Sequence, residues 1–292
     1  MKKKKRIVIL GSKGFVGSSI LKLLKIKKHR VLGISRNNID FLKKNSSEKL
    51  EKIIKKNDII VNAVAIAPCK TAGDLNKNLT IIQNIQFGLK KVKLSKYLNI
   101  SSDAVYPDTK SKINEKLIIN PTSIHGLMHL NREKIIDLTS KCKVLHIRPT
   151  LIYGFGDPHE SYGPNLFIKT INSKKIIKLF GNGEEKRDHI FIKDLTSLFL
   201  KIIFKNCYGT LNLVTGKGIT FMQIAKELKK KYKNIKIVNI TRKQKMPHDG
   251  YRVFDNYKIK KLFPNFKFTS LTKSLDEIKF QYNEKNKSAK KY

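Results

Sequence analysis

The chain is poor in cysteine, tryptophan and acidic residues. Among its 292 residues there are three cysteines and no tryptophan, and 22 acidic residues stand against 62 basic ones. Cys69, Cys142 and Cys207 are far apart along the chain. Such spacing does not make the disulfide framework of a secreted protein, and it favours a reducing, cytoplasmic compartment.

Long apolar runs are also absent. No stretch approaches the roughly 18 apolar residues that a membrane-spanning helix needs. The basic residues 1–6 resemble the start of a signal peptide, but the apolar run behind them, Ile7–Leu10, is interrupted by Gly11. Signal-peptide cores are about 7–15 residues long. We therefore expect a soluble protein with no membrane partner.

The shortage of acidic residues leaves a net charge of +40. Clustered Lys and Arg would predict a nucleic-acid binder. Here the basic residues are mostly lysines spread over the whole chain, and Ile and Asn are abundant too, which is the composition that AT-rich codons produce. We expect no specific nucleic-acid partner, although the positive field favours anionic small molecules.

A glycine-rich turn near the start carries the first functional signal. Residues 6–10 predict a buried parallel strand, and the amphipathic stretch Phe15–Ile26 predicts a helix. Three glycines punctuate this stretch. Gly11 permits a tight turn, Gly14 lets a phosphate approach, and Gly17 lets the helix pack on the strand. The pattern predicts a dinucleotide site; the alternative is a plain turn. The predicted contacts are Gly11, Gly14, Phe15, Val16 and Gly17.

The residue after the second predicted strand bears on the choice of cofactor. The strand Arg30–Ser35 is followed by Arg36, at the position that faces the adenosine ribose in this kind of fold. A cation suits a 2′-phosphate, so Arg36 favours NADP(H) within an NAD(P) site; the alternative is a solvated arginine. The remaining predicted cofactor contacts follow the strands: Asp40, Phe41, Asn62, Ala63, Val64 and Ile100.

Strand and helix patterns alternate through the first half of the chain. This alternation predicts an α/β fold with a Rossmann-type, doubly wound parallel sheet. We place the NAD(P)-binding domain at residues 1–150, with 186–215 returning to it. A smaller, partly discontinuous substrate-binding lobe is predicted at 151–185 and 216–282, where glycine and proline become more frequent, and the charged residues 283–292 are expected to fray.

Several motifs, taken in order, resemble one family. They are GSKGFVG from Gly11, ISSDAVY from Ile100, RPTLIYGFGD from Arg148, GPNLF from Gly163, LFGNG from Leu179, RDHIFIKD from Arg187, LNLVTG from Leu211 and DNYK from Asp255. Together they resemble the extended short-chain dehydrogenase/reductase family, the group of NAD-dependent sugar-nucleotide epimerases, dehydratases and reductases. The resemblance runs nearly end to end. It implies an NAD(P)-dependent enzyme of nucleotide sugars, in the synthesis of surface polysaccharides.

The resemblance implies a catalytic set that this chain alters. In relatives a Ser or Thr polarises the reacting oxygen, and a Tyr-x-x-x-Lys pair exchanges the proton and holds the nicotinamide ribose. Ser102 matches the polarising residue, although a serine at a strand end can also simply bond the backbone. His125 and His129 stand where the Tyr and Lys are expected. Since a histidine has an unperturbed pKa of about 6.5, His125 is predicted to exchange the proton and His129 to donate to the ribose.

Two further interpretations of this altered set stay open. The chain could bind its cofactor without turnover, or another residue, Tyr106 or Tyr153, could carry the catalysis. A metal site at the two histidines is not predicted, because no third ligand is evident.

The resemblance also implies positions that contact substrate. Arg187 matches an arginine beside the nucleotide diphosphate, and a guanidinium suits a phosphate; the alternative is a surface salt bridge. A second basic residue is expected at Arg252, with Lys245 as the alternative. Leu151 stands where many relatives have an asparagine that faces substrate. The remaining predicted contacts are Asp103, Tyr106 and Asn165. The family's frequent pairing through two helices implies a homodimer.

Overall fold

The apolar run Ile7–Leu10 forms the first strand, β1, of the computed structural model, which describes residues 5–158, 162–243 and 245–289. All four side chains of β1 are fully buried, as expected of a central strand of a parallel sheet with both faces covered. Two units are formed by the described residues. The first holds residues up to Pro107, Glu115–Pro149 and Leu195–Leu213, and the second holds Asp108–Asn114, Thr150–Asp194 and the residues from Val214 onward.

The first unit contains a six-stranded sheet in which every neighbouring pair is parallel, in the order β2-β1-β3-β4-β5-β9. With elements numbered along the chain, its strands are β1, β2 (Val31–Ile34), β3 (Ile59–Asn62), β4 (Lys96–Ile100), β5 (Val144–Pro149) and β9 (Gly209–Leu213). The helices between them are α1 (Phe15–Ile26), α2 (Ser46–Ile53), α3 (Ala72–Leu89), α4 (Ile124–Thr139) and α6 (Ile192–Phe204). The predicted doubly wound sheet is confirmed. Its strand order reverses between β1 and β3, and in such sheets ligands bind beside the carboxyl ends of the strands at that point.

The second unit is built on two smaller sheets. One is formed by β6 (Leu151–Tyr153), β8 (Lys186–Phe191), β10 (Gly218–Thr220) and β12 (Tyr251–Arg252), and the other by β7 (Ile176–Phe180) and β11 (Lys236–Ile240). Its helices are α5 (Pro164–Lys174), α7 (Phe221–Lys231), α8 (Tyr257–Leu262) and α9 (Leu271–Ala289). Within the described residues, no helix has the length and apolar character to cross a membrane.

Two of the predicted boundaries differ from the structure. Residues 186–194 were assigned to the first domain, but they belong to the second unit because β8 pairs with β6, β10 and β12. Asp108–Asn114 also belongs to the second unit, where Ile113 bridges to Phe254. Residues 283–289, which were expected to fray, extend α9 beyond the buried Leu275 and Ile278. Residues 290–292 lie outside the described residues.

Candidate cofactor and catalytic site

The turn from β1 into α1 depends on two glycines. Gly11 has φ +83°, and a Cβ there would lie 2.8 Å from the carbonyl oxygen of Ala63. A Cβ on Gly17 would lie 2.3 Å from the carbonyl oxygen of Gly11. Only glycine allows these approaches, and they bring the start of α1 close to the ends of β1 and β3. The N-terminus of a helix so placed attracts a phosphate.

A cavity of about 230 Å³ lies beside this turn. Sites for whole ligands typically measure about 300–1,000 Å³, so the cavity suits one end of a dinucleotide. Phe41 offers it a buried aromatic side chain, and the Nε atom of Arg36 lies 3.5 Å from a carboxylate oxygen of Asp40 at its border. An adenosine with an extra phosphate fits such a lining. The predicted cofactor residues found there are Gly11, Gly14, Arg36, Asp40, Phe41, Ala63 and Val64.

The other predicted cofactor residues lie outside the lining of this cavity. Phe15, Val16 and Gly17 form the first turn of α1, before its first intrahelical hydrogen bond from Ser18 to Gly14. Ile100, half-buried, ends β4. Asn62 is fully buried, and its side chain donates to Asn99 over 3.4 Å and accepts from the amide of Val64 over 3.2 Å. Asn62 therefore shapes the loop after β3 from inside.

Ser102 lies at the start of a 3₁₀ turn, Asp103–Val105, which follows β4. Its hydroxyl oxygen accepts from the amide of Ala104 over 3.1 Å and donates weakly to a carboxylate oxygen of Asp103 over 3.4 Å. This turn touches the start of α4. A Cβ on Gly126 would lie only 2.1 Å from the carbonyl oxygen of Ala104, so the glycine lets helix and turn meet. Ser102 and His125 are thereby on adjoining segments.

His125 and His129 lie on one face of α4. Their ring centroids are 4.7 Å apart with the planes at 87°. The Nδ1 atom of His125 accepts from the amide of Cys69 over 3.2 Å, and Nδ1 of His129 lies 3.3 Å from a guanidinium nitrogen of Arg132. Burial lowers the pKa of His129 well below 6.5, and the positive charges of Arg132 and of a protonated His125 lower it further. His129 is therefore neutral at pH 7, unlike the lysine expected at its position.

The decisive comparison is with protein-family models. A model described as the NAD dependent epimerase/dehydratase family matches residues 7–213. The chain belongs to this family of enzymes.

Individual relatives of the epimerase/dehydratase family share a modest part of the sequence. A dTDP-D-glucose 4,6-dehydratase of Dictyostelium discoideum is 26% identical over 266 residues, covering 76% of this chain but only 61% of its own length. The structure of a UDP-glucuronic acid 4-epimerase of Bacillus cereus with UDP-glucuronic acid and NAD has a TM-score of 0.82 at 21% identity, covering 96% of this chain and 99% of its own. A dTDP-4-dehydrorhamnose reductase of Bacillus anthracis in complex with NADP has a TM-score of 0.78 at 16% identity, covering 96% and 100%. An NAD(P) cofactor follows for this epimerase/dehydratase family member.

One residue of this family member's site was missed from the sequence. Arg132 is 1% exposed, and its second guanidinium nitrogen donates to the carbonyl oxygen of Val64 over 2.7 Å. It stands three residues after His129, hence on the same helix face, and this spacing was the available signal. Arg132 links the histidine pair to the loop that lines the cofactor cavity.

The two tyrosines considered for catalysis are both buried and hydrogen-bonded within the protein. Tyr106 is 1% exposed, and its hydroxyl group donates to Asn212 over 2.8 Å and accepts from Arg148 over 2.9 Å. The phenol is thus held inside the first unit, and its contact with substrate stays a prediction. Tyr153 is buried in the second unit with its hydroxyl 2.6 Å from that of Ser274, and burial raises its pKa to about 12.

The substrate contacts predicted in the second unit fall into two kinds. The Nε atom of Arg187, on β8, lies 3.7 Å from the carboxylate of Glu185, and its side chain is partly exposed. The other two residues, Asn165 and Arg252, make their contacts within the unit. Asn165 accepts from the amide of Gly154 over 3.1 Å and donates to Asp157 over 2.5 Å.

Arg252 is fully buried, with a guanidinium nitrogen 3.7 Å from a carboxylate oxygen of Asp108 and its charge over the ring of Phe254. The structure thus gives Arg252 an internal ion pair, and its contact with phosphate stays a prediction. Lys245, the alternative, is largely exposed and pairs with Asp249 over 2.9 Å.

Proposed function

We propose that the protein is an NAD(P)-dependent oxidoreductase or epimerase of a nucleotide-activated sugar, with Ser102 and His125 at the reacting oxygen. The observation that carries the proposal is the contact between Gly126 and Ala104, which sets the first turn of α4 against the turn that begins at Ser102. Both segments lie between β4 and β5, in the unit that contains the glycine turn. A hydroxyl group and an imidazole on adjoining segments suit an oxygen that gains or loses charge.

Each of the chain's own groups has a stated role in this proposal. The glycine turn and the start of α1 hold the pyrophosphate, while Phe41 and Arg36 hold the adenosine end. A bound nicotinamide supplies or removes a hydride at a sugar carbon. Ser102 orients the neighbouring oxygen, and His125 assists it, by the predicted proton exchange or by donating a hydrogen bond.

The substrate class is proposed from the relatives, whose names specify dTDP-, UDP-, CDP- and GDP-linked sugars. Arg187 is the candidate ligand for the diphosphate, since a partly exposed guanidinium can bind it through two hydrogen bonds.

The test is the paired substitution of the two residues at the reacting oxygen. Ser102→Ala and His125→Ala are each expected to lower turnover by about 10²–10⁴-fold, the usual range for one acid, base or polarising group. NAD(P)H affinity, measured by nicotinamide fluorescence, should stay within a few fold. His29→Ala serves as the control, because His29 lies between α1 and β2 and stacks on Phe204. Unchanged turnover in either site variant contradicts the assignment.

A second candidate is a cofactor-binding family member without turnover. The observation that favours it is the neutral His129, which replaces the cationic lysine of relatives. The purified protein mixed with NAD(P)⁺ or NAD(P)H and a panel of nucleotide sugars separates the two candidates. A change in nicotinamide absorbance, or conversion of the nucleotide sugar seen by chromatography, supports the enzyme, and cofactor binding without either change supports the binder.

A further inference from the structure

Each histidine of α4 has one ring nitrogen against a group that only donates hydrogen bonds. The amide of Cys69 faces Nδ1 of His125 at 3.2 Å, and the guanidinium of Arg132 faces Nδ1 of His129 at 3.3 Å. Neither an amide N–H nor a guanidinium has a lone pair to offer. Both Nδ1 atoms must therefore accept. A neutral imidazole that accepts at Nδ1 carries its proton on Nε2.

Arg132 is held firmly enough to enforce this arrangement. It is fully buried, and a 2.7 Å hydrogen bond to the carbonyl of Val64 fixes the far side of its guanidinium. Burial lowers its pKa to about 10, partly offset by Tyr97 and Glu133, so it remains a cation at neutral pH. A proton on Nδ1 of His129 would point at this cation.

We propose that Cys69 and Arg132 are positioning residues that hold His125 and His129 as Nε2-protonated donors. The proposal rests on the proposed function, in which His125 assists the reacting oxygen, and it fixes which ring nitrogen carries the proton. A donor directed at an oxygen stabilises negative charge that develops there, and a neutral imidazole can act in this way as an electrophile.

The tautomers can be read without cofactor or substrate, from the imidazole nitrogen chemical shifts of ¹⁵N-histidine-labelled protein at pH 7. Both Nδ1 atoms should resonate as unprotonated acceptors. Arg132→Met should give a mixture of tautomers at His129, while Arg132→Lys, which keeps a donor-only cation, should retain the single one and covers the case in which Arg132→Met does not fold. Lys134→Met, exposed on the same helix, should change neither histidine. A protonated Nδ1 at either histidine of the unaltered protein overturns the proposal.

Turnover of nucleotide sugars is a separate measurement from the tautomers. If no nucleotide sugar is turned over while both tautomers are as expected, the proposed function fails and the donor assignment stands.

Discussion

Arg36 and Asp40 place opposite charges at the rim of the cofactor cavity. The arginine side chain is 75% exposed and only 3.5 Å from the carboxylate, at the weak end of an ion pair. A flexible, weakly paired guanidinium can turn toward a 2′-phosphate at little cost. The carboxylate of Asp40 is meanwhile partly engaged, since it accepts from the amide of Leu42 over 3.1 Å.

Arg36→Ala is therefore expected to weaken NADPH binding by about 10–100-fold, corresponding to the loss of a hydrogen bond to a charged group, ~1.5–3 kcal/mol. NADH binding should change by less than about twofold. Titration of both cofactors by fluorescence measures the ratio. Arg30→Ala is the control, because Arg30 is exposed before the other end of β2. Equal weakening for NADH and NADPH would show that Arg36 does not select the phosphate.

For single residues, the sequence predicted which residues belong to the site better than it predicted the contacts of their side chains. The positions of Ser102, His125 and His129 followed from the family resemblance, and the structure places the serine and the first histidine on adjoining segments. The hydrogen bond from Cys69 to His125 could not be predicted, because it joins a loop amide to a side chain 56 residues away. Burial of Tyr106 escaped prediction for a related reason: its partners Arg148 and Asn212 come together only in the folded sheet.

Helix α4 makes a close backbone contact with the turn that begins at Ser102. Ser123 caps it by accepting from the amide of Gly126, whose Cα faces the carbonyl of Ala104. The Pro-Thr-Ser sequence before the helix is typical of a helix start. The sequence did not show that position 126 requires glycine, since this requirement comes from the carbonyl group of Ala104, 22 positions earlier.

Gly126→Ala should destabilise the protein by about 1–3 kcal/mol, the usual cost of overpacking, and should lower turnover by moving α4 from the Ser102 turn. Gly73→Ala is a matched control in the first turn of α3, where a Cβ would meet only the Thr71 hydroxyl at 3.7 Å. There alanine should be neutral or stabilising by up to ~1 kcal/mol. Urea midpoints of the two variants give the comparison, and equal midpoints would contradict the close-contact argument.

On the scale of the whole molecule, we propose the homodimer that the family resemblance implies. The α3 and α4 helices leave large apolar side chains exposed, with Phe87 62% and Leu138 85% accessible. A double Phe87→Lys, Leu138→Lys variant is expected to be monomeric by light scattering, because buried charges disfavour an apolar interface. Ile26→Lys, at an exposed position of α1, should leave the mass unchanged. A monomeric unaltered protein contradicts the proposal.

Domain boundaries were the least predictable feature at this scale. Residues 186–194 carry strand patterns that suit either unit, and only their pairing with β10 and β12 decides between them. Where the chain passes from one unit to the other in a short segment, that segment has too few residues to show a periodic pattern of its own.

The loop after β3 has a further consequence for binding. The peptide groups of Val64 are held on both sides, the amide by Asn62 and the carbonyl by Arg132. Flexible loops lose conformational entropy when a ligand orders them, and affinity falls accordingly. Here hydrogen bonds within the protein already hold Val64, so this part of the cavity wall is preorganised and loses less conformational entropy when a ligand binds.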